Sequence, residues 1–212
     1  MKYLTILLMI VLSACGRTAP AQAGAQGRTD IMSQPGSQSL VLGGGCFWCL
    51  EAAYEVLPGV LGVESGYAGG NRDDPSYEQV STGLTGHAEV VKVVYDPTII
   101  KLETLFELFF RIHDPTTKDR QGADIGSQYR SIILYADAEQ KRSAEEAIRA
   151  TQPQFTKPIV TQLESLEKYW PAEDYHQDFY RKNPTYGYCQ AVVAPKVEKA
   201  KSFADKLVPL KP

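Results

Sequence analysis

The sequence predicts an α+β fold with a ferredoxin-like, split βαβ core: one sheet carrying helices on one face. Three observations predict it. Strand-like and helix-like apolar patterns follow one another in the order β-α-β-β-α-β. No helical pattern lies between the second strand and the third, which excludes a doubly wound parallel sheet. Further strand-like and helix-like segments follow the core, and no segment repeats.

Each element has its own signal. SLVLGG at 39–44 is a short apolar run entering glycine, a buried strand that stops. CFWCLEAAYEVL at 46–57 places Phe47, Leu50, Tyr54 and Leu57 at helical spacing, and Pro58-Gly59 ends the helix. VLGVESGYAGG at 60–70 is a second strand running into Gly-Gly, followed by a polar loop to Gly86. HAEVVKVVYDP at 87–97 is rich in valine and stops at Asp-Pro, a third strand. KLETLFELFFRIH at 101–113 is an amphipathic helix closed by Asp114-Pro115. SQYRSIILYA at 127–136 is a fourth strand, and DAEQKRSAEEAIRAT at 137–151 is a helix with Asp137 as N-cap. KPIVTQLESL at 157–166 reads as one more strand, and PKVEKAKSFADKL at 195–207 as a C-terminal helix.

The chain has 212 residues, the length of one or two domains, and a formal net charge of −3. With that charge and no dense Lys/Arg stripe, a nucleic-acid surface is not expected. The N-terminus differs from the rest. Lys2 precedes YLTILLMIVLSAC, an apolar run too short to span a bilayer. Residues 1–14 have the layout of a signal peptide, and LSAC at 12–15 resembles a bacterial lipoprotein signal, which implies cleavage before Cys15 and lipid on its thiol. An ordinary secretory cleavage near Ala21 or Ala23 is the alternative. Residues 15–38 are small, polar and aperiodic, a flexible tether, so the folded domain is expected over 39–212. The expected location is extracytoplasmic, on a bacterial membrane through the lipid, facing the periplasm in a Gram-negative host.

Without Cys15, three cysteines remain: Cys46, Cys49 and Cys189. That is too few, and an odd number, for a structural disulfide framework outside the cytoplasm. The stretch GGGCFWCLE at 43–51 holds two of them. A strand, glycines and then a helix suit phosphate binding, but position 48 is Trp and no Gly-Lys-Ser/Thr follows, so both nucleotide fingerprints fail. A zinc site would need four ligands, and Cys189, His87, His113 and His176 are widely scattered, so no metal is expected. Thiol chemistry remains. A sulfur at the start of the helix would feel the positive end of the helix dipole, which lowers a thiol pKa from about 8.5. Cys49 lies one turn on, within disulfide reach. The plain alternative is that both are small buried hydrophobes.

GCFWCLE resembles the GCFWG-x-E signature of the A-type peptide methionine sulfoxide reductases. The likeness continues through SGYAGG at 65–70, YEQVSTGLTGHAEVV at 77–91, IHDPTTKDRQGADIGSQYRS at 112–131 and EDYHQDFY at 173–180. It implies a two-layer α/β sandwich around the ferredoxin-like core, with C-terminal additions. It also implies reduction of methionine S-sulfoxide, free or in oxidised proteins, as repair of oxidative damage. By this resemblance Cys46 is the nucleophile that becomes a sulfenic acid. Phe47 and Trp48 wall in the substrate methyl. Glu89, Tyr77 and Tyr129 surround the sulfoxide oxygen, and Asp124 helps position the substrate. No bound cofactor is implied; the reductant is an external, thioredoxin-like dithiol protein, and the enzyme is expected to be a monomer.

These residue types suit the chemistry. A sulfoxide is a poor electrophile until its oxygen is protonated or strongly hydrogen-bonded, which needs a neutral acid beside a soft nucleophile. On the third strand Glu89 shares a face with Val91, Val93 and Tyr95; if that face is buried, desolvation raises its pKa. The alternative is a wet strand end and an ordinary salt bridge. His176 reads as structural, and Glu51 as a cap or pairing residue within the first helix. Cys49 stands where the common signature has glycine, so Cys49 and Cys189 both remain candidates for the resolving and recycling thiols. Cys189, in the turn-rich NPTYGYCQ, resembles the family's C-terminal recycling cysteine and is expected to be the exposed final partner. Two other functions fit parts of the sequence: a periplasmic thiol–disulfide oxidoreductase using Cys46 and Cys49, and a lipid-anchored binding module with dispensable thiols.

Overall fold

The structure is a computed structural model and describes residues 34–207. The expected signal peptide at 1–14, the lipidation site Cys15 and most of the expected tether lie outside the described residues.

Six strands form the main sheet: β1 (Gln38–Gly44), β2 (Val60–Ala68), β3 (Ala88–Tyr95), β6 (Ser131–Tyr135), β7 (Gln162–Ser165) and β8 (Tyr169–Pro171). β4 (Arg120–Gln121) and β5 (Asp124–Ile125) make a separate small ribbon. The sheet order is β7-β6-β1-β3-β2-β8. Only the β6–β7 pair is parallel; the other four are antiparallel. The helices are α1 (Phe47–Tyr54), α2 (Tyr77–Ser81), α3 (Leu102–Ile112), α4 (Ala138–Thr151), α5 (Phe179–Lys182) and α6 (Ala194–Leu207). This is a mixed α/β fold.

The alternation in the strands decides which residues meet the helices. Leu40 and Leu42 of β1, Tyr67 of β2, Val91, Val93 and Tyr95 of β3 and Ile133 of β6 share one buried cluster with residues from α1, α3, α4 and α6. From α3 come Leu105, Phe106, Leu108, Phe109 and Ile112, the apolar stripe visible in the sequence. The odd-numbered partner Val41, with Ala68, Val90, Ile132 and Leu134, faces the other way into a smaller cluster capped by Leu166 and Tyr169. β1 is central and buried for most of its length. It starts at Gln38, opposite Tyr95, and ends at Gly44, opposite Ser131 and two residues before Cys46.

A buried cation ties the loops at one end of the sheet. The Arg130 guanidinium donates to Gln162 Oε1 at 2.7 Å and to the carbonyls of Ser127, Gly86 and Gly69 at 2.9, 3.0 and 3.3 Å. Its five-donor fork can satisfy several carbonyls at once, and burial pushes its pKa down.

Several boundaries differ from the sequence reading. β1 begins one residue early, inside the expected tether. The strand expected from 127 starts at Ser131, because Ser127–Tyr129 form a 3₁₀ turn after Gly126, whose φ is 144°. The strand expected over 157–166 shrinks to Gln162–Ser165 at the sheet edge. β8 was missed: three residues ending in proline, tolerated only because the strand is an edge. α2 was missed too, although Ser76 and Gln79 form a reciprocal capping box. Asp137 caps α4 as expected, accepting the Gln140 N–H at 2.8 Å.

Candidate active site

The approach to Cys46 needs glycine for two separate reasons. A Cβ at Gly43 would lie 2.8 Å from Ile132 Cγ2 and 2.9 Å from the Glu89 carbonyl oxygen, so the strand could not lie so close to its neighbours. Gly45 has φ 98°, a conformation L side chains rarely adopt, and turns the chain out of the sheet. Cys46 is then the N-cap of α1, with φ −56° and ψ 126°, and the helix proper begins at Phe47.

The helix terminus does not make Cys46 a thiolate. Burial pushes its pKa well up, and a hydrogen bond with Cys49 and the nearby Glu89 add to this; the Trp48 N–H opposes them and loses. In the substrate-free protein Cys46 holds its proton, which corrects the expectation of a lowered pKa. Cys49, fully buried, is the more acidic partner: the Cys46 hydrogen bond lowers its pKa against the effect of burial, helped by Lys196 and Tyr188. Cys189 is fully buried at the start of a π-helical turn, Cys189–Val193, that runs into α6. It is therefore not the exposed thiol that its turn-rich neighbourhood suggested. Burial raises its pKa, and Cys49 contributes as the second cause. Cys49 thus stands between the other two sulfurs in its interactions.

Glu89 lies on the helix-covered face of β3 and is 2 % exposed. The Phe47 N–H donates to its Oε2 at 3.0 Å. Burial pushes the carboxyl up to about 8, and the Phe47 bond only partly offsets it. At neutral pH it is mostly protonated, with an O–H to donate. Tyr77, the first residue of α2, and Tyr129, the last of the 3₁₀ turn, are half-buried; burial and then Glu89 raise both phenols, which remain donors. Cys46 and Asp124 act on both phenols as well, so these groups converge on one pocket.

The apolar wall is more elaborate than the sequence indicated. Phe47 is buried against Tyr67, ring centroids 5.9 Å apart. Trp48 is stacked on Phe179 at 3.6 Å and 5°, with the rings of Tyr186 and Tyr188 edge-on. Its indole N–H donates to His176 Nδ1 at 3.2 Å, which places the imidazole proton on Nε2. His176 is therefore part of the pocket frame. Asp124 on β5 accepts the Tyr188 O–H at 2.6 Å. Glu51 is buried within α1. Tyr188, Phe179, Tyr186 and Glu173 escaped the sequence reading; for the three rings the run of aromatics in DFYRKNPTYGYC was the available signal.

A thiol that can be oxidised, beside a second thiol that can reduce it, is the minimum of a thiol-dependent oxidoreductase, and the pocket defines that class. The particular chemistry follows from comparison. The chain belongs to the peptide methionine sulfoxide reductase family, whose model matches residues 38–207. It is 54% identical over 172 residues to "Peptide methionine sulfoxide reductase MsrA" of Haloquadratum walsbyi, covering 81% of this chain and 99% of that one. Methionine sulfoxide reductase A of Corynebacterium diphtheriae superposes with a TM-score of 0.72 at 37% identity, covering 76% of this chain and 81% of that chain. Mxr1 from Saccharomyces cerevisiae, in a crystal structure in complex with Trx2, superposes at 0.50 and 25% identity, over 69% of this chain and 87% of that chain. The chain is thus an enzyme, an oxidoreductase of the kind that reduces methionine sulfoxide.

Proposed function

We propose that this enzyme reduces methionine S-sulfoxide, free or protein-bound, through a Cys46 sulfenic acid, and repairs oxidative damage outside the cytoplasm. One observation carries the chemistry: Glu89 is neutral near pH 7 and is tied by one oxygen to the backbone beside Cys46. The sulfoxide oxygen takes hydrogen bonds from Glu89, Tyr77 and Tyr129, while its methyl lies against Phe47 and Trp48 and Asp124 helps to hold the substrate. As the oxygen gains proton density, the sulfur becomes electrophilic and Cys46 attacks it. The proton that burial keeps on Cys46 passes to the Glu89 carboxylate as the sulfur attacks, replacing the one given to the oxygen. The S–S bond formed in the attack breaks as the hydroxyl passes to Cys46, the thioether leaves, and Cys46–S–OH remains, so the substrate is reduced and the cysteine oxidised by two electrons.

Cys49 then displaces water from the sulfenic acid, giving a Cys46–Cys49 disulfide. Its hydrogen bond with Cys46 supports Cys49 as the first resolving thiol. Exchange with Cys189 and reduction by a thioredoxin-like dithiol protein complete the cycle. The yeast relative's complex with Trx2 supports the reductant. The sheet order fourth, first, third, second among β6, β1, β3 and β2 supports a split βαβ, ferredoxin-like core.

The test is turnover of the two sulfoxide epimers with dithiothreitol. Turnover of the S epimer alone is expected; turnover of the R epimer, or of neither, defeats the reading. The location is proposed from LSAC at 12–15 alone. Mass spectrometry of the membrane fraction is expected to find an acylated N-terminal Cys15, and a lipid-free mature protein starting elsewhere defeats that part.

A further inference from the structure

Glu173, in the loop after β8, has no role in the chemistry above, yet it touches both sides of the pocket. Its Oε1 accepts the Tyr77 N–H at 2.8 Å, and its Oε2 accepts the Tyr67 O–H at 2.8 Å. Tyr67 is the fully buried ring packed against Phe47. The Glu173 carbonyl accepts the His176 backbone N–H at 2.9 Å, and the His176 ring in turn accepts the Trp48 indole N–H. One residue therefore fixes the start of α2 from a strand-edge loop, across 96 residues of sequence. α2 has only five residues; its Ser76–Gln79 capping box satisfies the N–H groups of Ser76 and Gln79, and the Tyr77 N–H is left to Glu173. Partial burial pushes the Glu173 carboxyl up, but the Tyr77 N–H and the Tyr67 O–H outweigh it and keep it charged.

We propose that Glu173 is the positioning residue for Tyr77: its carboxylate sets where the Tyr77 phenol meets the sulfoxide oxygen, without touching substrate. This rests on the reading above, in which Tyr77 donates to that oxygen. A donor displaced by about 1 Å costs up to about 10²-fold in rate.

The experiment measures single-turnover sulfoxide reduction in Glu173→Ala, Glu173→Gln, Tyr77→Phe and the Glu173→Ala/Tyr77→Phe double variant. Alkylation of Cys46 by iodoacetamide reports whether the nucleophile and its surroundings are intact. Glu173→Ala is expected to slow reduction by roughly 10-fold or more, with alkylation unchanged. Glu173→Gln keeps an oxygen acceptor for the Tyr77 N–H and is expected to restore most of the rate. In the Tyr77→Phe background Glu173→Ala is expected to cost nothing further, since its effect passes through the phenol. The proposal is overturned if Glu173→Ala keeps the full rate, if Glu173→Gln is as slow as Glu173→Ala, or if the two losses simply multiply. An unchanged rate for Tyr77→Phe alone overturns instead the reading that Tyr77 is a donor, and the proposal falls with it.

Discussion

Cys46→Ser is expected to remove sulfoxide reduction entirely, while Cys49→Ser leaves a single round. A serine hydroxyl at this buried position is neither nucleophilic enough nor able to accept the oxygen as a stable sulfenic acid. Cys49→Ser retains the nucleophile and its acid, so one equivalent of methionine per protein should appear. Regeneration should then stall, because the thiol that hydrogen-bonds Cys46 is gone. Trapping after one equivalent of sulfoxide is expected to find Cys46–Cys49 as the first disulfide in the wild-type protein, Cys46–Cys49 as the lasting one in Cys189→Ser, and sulfenic acid in Cys49→Ser. A Cys46–Cys189 bond appearing first in the wild type would reverse the order, and would require the π-helical turn holding Cys189 to open before resolution.

Glu89→Gln is expected to lower the single-turnover rate by about 10²-fold, the usual loss for a positioned acid. Its pH dependence separates a proton donor from a spacer. The wild-type rate should be flat at neutral pH and fall as pH rises through about 8, where the carboxyl loses its proton. The variant should show no such fall. Stability also declines as pH rises, starting from a lower pH. The folded carboxyl titrates near 8 and an ordinary one near 4.5, so between those values the folded state keeps a proton that the unfolded chain releases. Folding stability is therefore full below the lower value and declines by about 1.4 kcal/mol per pH unit until the upper one. Glutamine has no such penalty, so the variant should be slower yet resist denaturant better near the upper end of that window. An equal pH profile in both proteins would sink Glu89 as the acid.

The parts of this design that were legible in the sequence are those that a single segment specifies. Alternation along β3 groups Glu89 with Val91, Val93 and Tyr95 on one face, and the α3 stripe fixes a helix and its inner side. The Gly-Gly-Gly-Cys run announces a close approach before the approaching groups are known. What stayed hidden depends on distant segments. Cys46 lies at a helix start, so local reasoning favours a thiolate, but the burial that opposes it comes from the whole pocket closing around it. Glu173 reads as one acid in EDYHQ until β8 brings it to Tyr77. β8 itself is three residues, too short for periodicity to register. The Trp48 stack on Phe179 joins segments more than a hundred residues apart, and nothing in either predicts the other.

The central strand also sets a polarity for the whole particle. β1 enters at Gln38 and delivers the chain to the nucleophile at its far end, with no reversal between. Seven residues of strand put that entry about 20 Å from the reacting sulfur. Anything joined upstream, whether a leash, a carrier surface or a fused partner, is therefore hitched to the pole away from the mouth.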